Sequence, residues 1–128
     1  MSYYASRTLH ADFDEAVERI TRSLKEQGFG VITEIDLKAT FKKKLDKDFR
    51  QYKILGACNP NYAFEALQRE DKIGTMLPCN VIVQERGAGE VEIAAVNPVA
   101  SMQAVENEEL NAVAGQVEKM LEAAVRNA

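Results

Sequence analysis

Val81-Ile82-Val83-Gln84-Glu85-Arg86 and Glu90-Val91-Glu92-Ile93-Ala94-Ala95-Val96 are joined by Gly87-Ala88-Gly89. Both flanks are rich in β-branched residues, and a connection of three residues containing two glycines reads as a β-hairpin. A parallel pairing needs a crossover of a dozen or more residues, so these two strands must run antiparallel. Asn97-Pro98 stops the second strand.

Upstream of the hairpin, strands and helices alternate. Residues 2–9, with Tyr3, Tyr4 and Thr8, suit a first strand. Asp12 with Glu15 forms an acidic variant of the capping box and opens a helix that carries Phe13, Ala16, Val17, Ile20 and Leu24 on one face. Gly28 closes it, where left-handed backbone is needed. Residues 29–35 predict a second strand. Residues 36–49 predict a short amphipathic helix through Leu37, Phe41 and Leu45, with Lys42, Lys43, Lys44 and Lys47 between and after them.

Residues 51–57 predict a third strand, which runs into Cys58-Asn59-Pro60. Asparagine is a preferred N-cap and proline a preferred first helical residue, so a helix is expected from 60 to 69, burying Ala63, Ala66 and Leu67. Downstream of the hairpin, residues 106–126 place Leu110, Val113, Val117, Met120, Leu121 and Ala124 on one helical face. The order is too rich in hairpins for a doubly wound parallel sheet. It predicts an α+β domain with one mainly antiparallel sheet, the first and last helices on one face and two short helices inserted between strands.

The chain has 128 residues, 46% hydrophobic and 28% charged, as expected of one globular domain, residues 1–128. Its 16 basic and 20 acidic residues give a net charge of −4, which argues against a partner recognised by neutralising phosphates, so no nucleic acid is expected. No apolar run reaches the roughly 20 residues that span a bilayer. The first residues carry no apolar signal region, so neither membrane nor export is expected and the cytoplasm is the default location.

Chemistry concentrates at Ala57-Cys58-Asn59-Pro60 and Pro78-Cys79-Asn80, two cysteines in matching contexts. A helix N-terminus after Cys58 favours thiolate, the attacking form, which makes Cys58 and Cys79 the candidate catalytic residues. Both also fit as small buried hydrophobes, and a structural disulfide has no support in a reducing compartment. Two cysteines and a distant His10 do not make a recognised metal spacing, and no cofactor fingerprint occurs, so neither metal nor cofactor is expected. The lysine cluster at 42–47 reads as a solvated face. Tyr52 and Lys53 offer a hydroxyl and an ammonium at the start of the strand that leads to Cys58.

The stretches Tyr52-Lys53-Ile54-Leu55-Gly56-Ala57-Cys58-Asn59-Pro60 and Gly74-Thr75-Met76-Leu77-Pro78-Cys79-Asn80-Val81, with Ala63, Ala66 and Leu67 between them, resemble the signature of an uncharacterised bacterial and archaeal family, domain of unknown function 302. The resemblance covers essentially the whole chain. It implies a β-α-β(4)-α arrangement similar to half of the TATA-box-binding protein, and packing as homodimers. It implies no activity, because fold does not carry function.

Three functions follow as expectations. In the first, a small thiophilic or anionic ligand binds in a pocket where the loops of the two motifs converge, drawing on Tyr52, Lys53, Cys58, Asn59, Pro60, Pro78, Cys79 and Asn80. The second is a thiol redox or sulfur-transfer protein with Cys58 as nucleophile and Cys79 as resolving partner. The third is an architectural domain in which Asn59 merely caps a helix and no ligand binds.

Overall fold

A computed structural model describes residues 2–128. Five strands, β1 (Tyr4–His10), β2 (Gly30–Asp36), β3 (Tyr52–Cys58), β4 (Cys79–Gly87) and β5 (Glu90–Val96), form one sheet in the order β1-β5-β4-β3-β2. Every neighbouring pair is antiparallel, so the domain is α+β as the hairpin requires. The hairpin connection is tighter than its sequence suggests. β4 continues to Gly87, a register shift between Glu85 and Gly87 takes up the extra residue, and Gly89 turns the chain at φ 72°.

Alternation along the strands separates the two faces. Leu9, Leu55, Ala57, Val81, Val83, Val91, Ile93 and Ala95 point to one face and are buried there. Against them pack α1 (Phe13–Glu26) and α5 (Glu109–Asn127), which contribute Phe13, Ala16, Ile20, Leu24, Val117, Leu121 and Ala124 to the same core. The buried Ser23 hydroxyl donates to the Ala124 carbonyl at 2.6 Å and ties the two helices together. Asp12 accepts from the Glu15 N–H at 2.8 Å, as the capping sequence predicts, and Gly28 takes φ +87° beyond the end of α1.

Two helices depart from expectation. α2 (Leu37–Leu45) is shorter than residues 36–49 and buries nothing; it ends where Asp46 adopts φ 51°. Its basic residues keep it in solvent, and it is anchored by Phe41 stacking edge-on against Phe49 at 5.2 Å. α3 (Pro60–Arg69) buries Ala66 alone, with Ala63 half-buried and Leu67 exposed. A turn of 3-10 helix at Asp71–Met76 follows, and a short α4 (Pro98–Ser101) begins where Asn97-Pro98 was read only as a stop. No helix among the described residues is long and apolar enough to cross a membrane.

α3 is held to α5 through a second, smaller core of Ala66, Ile73 and Leu110. The two cores share the half-buried Val113 and are otherwise distinct, and the space between them defines the site.

Candidate functional site

Between the two cores lies a cavity of about 330 Å³. One wall is the sheet end, with Ala57, Cys58, Pro78 and Cys79; the roof is α3, with Tyr62, Ala63 and Ala66. The far wall comes from Pro98, Met102, Val113 and Val117. The volume lies at the lower end of the range for small-molecule pockets, roughly 300–1,000 Å³. No charged residue lines it. Ile32 and Leu67 also line it and remain 63% and 43% exposed, which sets apolar side chains at the opening.

Asn59 is the one amide in the wall, and it is only 8% exposed. It occupies the N-cap position of α3, yet its side chain makes no capping hydrogen bond. This corrects the expectation that Asn59 caps the helix. Its amide finds no partner among the described residues, although its polar atoms are not sealed from the cavity. Ala63 N–H donates to the Asn59 carbonyl at 2.9 Å, whereas the N–H groups of Asn61 and Tyr62 have no acceptor among the described residues. Pro60 has no N–H to satisfy. At Asn59 and Tyr62 the cavity therefore meets the uncapped start of α3 beside an unpaired amide.

Cys58 and Cys79 end and begin neighbouring strands, with Cys79 opposite Ala57 in the register. Both are unbridged and half-buried. Burial, with a smaller contribution from Cys58 beside it, pushes the Cys79 thiol up to about 11. Cys79 is thus a neutral thiol near pH 7. Pro78 follows a cis peptide bond after Leu77, and its Cγ closes over Gly56.

The sequence matches the family described as "Domain of unknown function DUF302" over residues 5–128. The chain belongs to this family. A DUF302 protein of Bacillus stearothermophilus, titled as an uncharacterized conserved protein, has a crystal structure similar to this one at a TM-score of 0.91 and 26% identity, covering 99% of this chain and 98% of that one. Among curated proteins none matches this DUF302 sequence.

In this DUF302 chain, four of the motif residues converge on the cavity, namely Cys58, Asn59, Pro78 and Cys79. The others do not. Pro60 is exposed at the first turn of α3, outside the lining. Asn80 follows Cys79 by one residue, so alternation turns it to the opposite sheet face, where it shares a groove with Tyr52, Ile82 and Gln84. Lys53 pairs with Val83, roughly 16 Å along the strand from Cys58 at ~3.3 Å per residue. Its ammonium is held by Glu34 at 2.6 Å, which also raises its pKa. His10 lies opposite Glu90 beside the hairpin turn, at the end of the sheet away from the cysteines.

Sequence reading missed wall residues before β4, among them Ile32, Tyr62 and Leu77, and the whole wall after β5. Asn97-Pro98 repeats the Asn59-Pro60 pair, and the same signal for a helix start was available there.

Proposed function

We propose that this DUF302 protein is a binding module for a small molecule held in the cavity between α3, α5 and the sheet end. The observation that supports it best is Asn59, a polar side chain more than nine-tenths buried that makes no internal hydrogen bond and lines the cavity. Buried amides are almost always hydrogen-bonded, and one left free at a pocket wall is kept for something that enters the pocket. The architectural reading has less support, because the side-chain capping bond it expects at Asn59 is not made. The thiol-chemistry reading has less support than binding, because its resolving partner, Cys79, is pushed up to about 11 and so is a poor attacking group near neutral pH. Both thiols suit a thiophilic ligand, whereas an anionic one would meet no cationic side chain in the wall.

The test uses 1-aminoanthracene, a neutral apolar fluorophore, with Ala63→Phe to fill the cavity from α3. Fluorescence should rise on mixing with the unmodified protein and stay flat with Ala63→Phe, whose folding is checked by circular dichroism. An equal rise with both proteins, or none with either, would overturn the reading.

A further inference from the structure

Resting on that binding reading, we infer that the ligand is a neutral lipophile with a single carbonyl head, its body along the apolar walls and its oxygen at Asn59 and the first turn of α3. The body follows from the lining. Ala63, Leu77, Met102 and Val113 present hydrocarbon or thioether, and Ile32 and Leu67 carry the same character to the opening.

The head follows from a comparison within the chain. Asn59 and Asn97 both precede a proline that begins a helix, at φ −98°, ψ 105° and φ −92°, ψ 105°. Asn97 Oδ1 accepts from the N–H of Val99 at 3.0 Å and of Ala100 at 3.3 Å. Asn59 accepts from nothing, so the two equivalent N–H groups of α3, on Asn61 and Tyr62, stay free. Backbone geometry permits the cap at both positions, and only the cavity position leaves it unmade. What results is a cluster with a surplus of donors, the Asn59 amide N–H₂ and two backbone N–H groups. A group that only accepts hydrogen bonds matches it best, which selects a carbonyl over a hydroxyl.

Charge selects the neutral carbonyl over a carboxylate. A helix start supplies only a fraction of a positive charge, and no Lys or Arg lines the cavity to complete the compensation of a buried anion. The protein displays the same penalty on its own wall, where burial pushes the Cys79 thiol up.

The experiment compares octan-2-one with octanoate at pH 8, where the acid is ionised, by displacement of 1-aminoanthracene and by amide shifts in two-dimensional NMR. Octan-2-one should bind about tenfold or more tightly than octanoate. Asn59→Ala should weaken octan-2-one roughly fivefold, with the largest ligand-induced shifts at Asn61 and Tyr62. Asn59→Asp, which keeps the shape but loses the donors, should weaken it further and serves should the alanine variant not fold. Octanoate binding as tightly as the ketone, or octan-2-one indifferent to both Asn59 variants, would overturn the head-group assignment while the binding reading stands. Neither octyl compound displacing a fluorophore that Ala63→Phe still blocks would overturn the assignment in the same way. Failure of the fluorophore itself would remove both.

Discussion

The Asn59 amide nitrogen lies 3.1 Å from the point where a Cβ on Gly28 would fall. Gly28, at φ +87°, ends the turn after α1, and Asn59 begins α3. The missing side chain of one residue is therefore the space in which the other holds its amide, and this contact links two positions far apart in sequence. The left-handed backbone would call for glycine at position 28 in any helix ending of this kind. Its second role, making room for Asn59, exists only in the folded chain.

Gly28→Ala should accordingly suffer twice. The positive φ alone costs a residue with a Cβ about 1–2 kcal/mol, and the new methyl would press on the Asn59 side chain. Urea unfolding should show the loss of stability, and the side-chain amide resonances of Asn59 should move. An Asn59 spectrum unchanged in Gly28→Ala would contradict the contact.

The two asparagine positions make a matched pair for stability. Asn97→Ala removes a working cap and should cost about 1 kcal/mol. Asn59→Ala removes no internal hydrogen bond and should cost less than Asn97→Ala. Chemical denaturation of both variants checks the difference, and equal losses would count against the unmade cap at Asn59.

At Gly56 the sheet is closed from above. A Cβ there would meet the Thr33 hydroxyl and would lie 2.7 Å from Pro78 Cγ. Gly56→Ala should destabilise by about 1–3 kcal/mol through overpacking. Part of that loss should return in Gly56→Ala combined with Thr33→Ala, since neighbouring sites that share a clash are not additive. A fully additive double variant would show that Thr33 is not the obstacle.

The Cys79 thiol predicts an alkaline limb in the stability curve. Its folded pKa, about 11, is raised from an ordinary 9.0 by burial, so the neutral thiol is the form the fold favours. That contribution is complete below pH 9 and declines as pH rises toward 11. The difference in unfolding free energy between the unmodified protein and Cys79→Ala should be flat below pH 9 and narrow above it. In the same chemistry, iodoacetamide should leave Cys79 unmodified in the folded protein at pH 7 and label it after unfolding. Rapid native labelling of Cys79 would overturn this picture and restore its role as a resolving thiol.

Much of the architecture was legible because it rests on local rules. Gly87-Ala88-Gly89 between two β-branched runs forces antiparallel pairing, and Asp12 with Glu15 caps α1 through a contact that spans three residues. The amphipathic faces of α1 and α5 find the core they advertise. α2 misleads because Leu37, Phe41 and Leu45 have helical spacing but no surface to cover, so the helix stops early with Leu45 exposed. α3 misleads more usefully. Its apolar face was read as core, and Ala63 and Leu67 turn out to line a cavity.

The sequence by itself determined the α+β order, the hairpin and the long helices, whereas the pairing of β3 with β4 is what brings Cys58 and Cys79 to one sheet end. Tertiary structure decided which members of the two Cys-Asn motifs face the cavity. Strand alternation turns Asn80 away from Cys79, and Glu34 holds Lys53 at the far end of β3. It also decided which asparagine is a cap. Asn59-Pro60 and Asn97-Pro98 are the same local signal with nearly the same backbone, so no neighbouring residue in sequence distinguishes them. The difference is made by Gly28 from a distant turn and by the cavity that opens beside Asn59, because side-chain hydrogen bonds answer to packing as well as to the backbone that bears them.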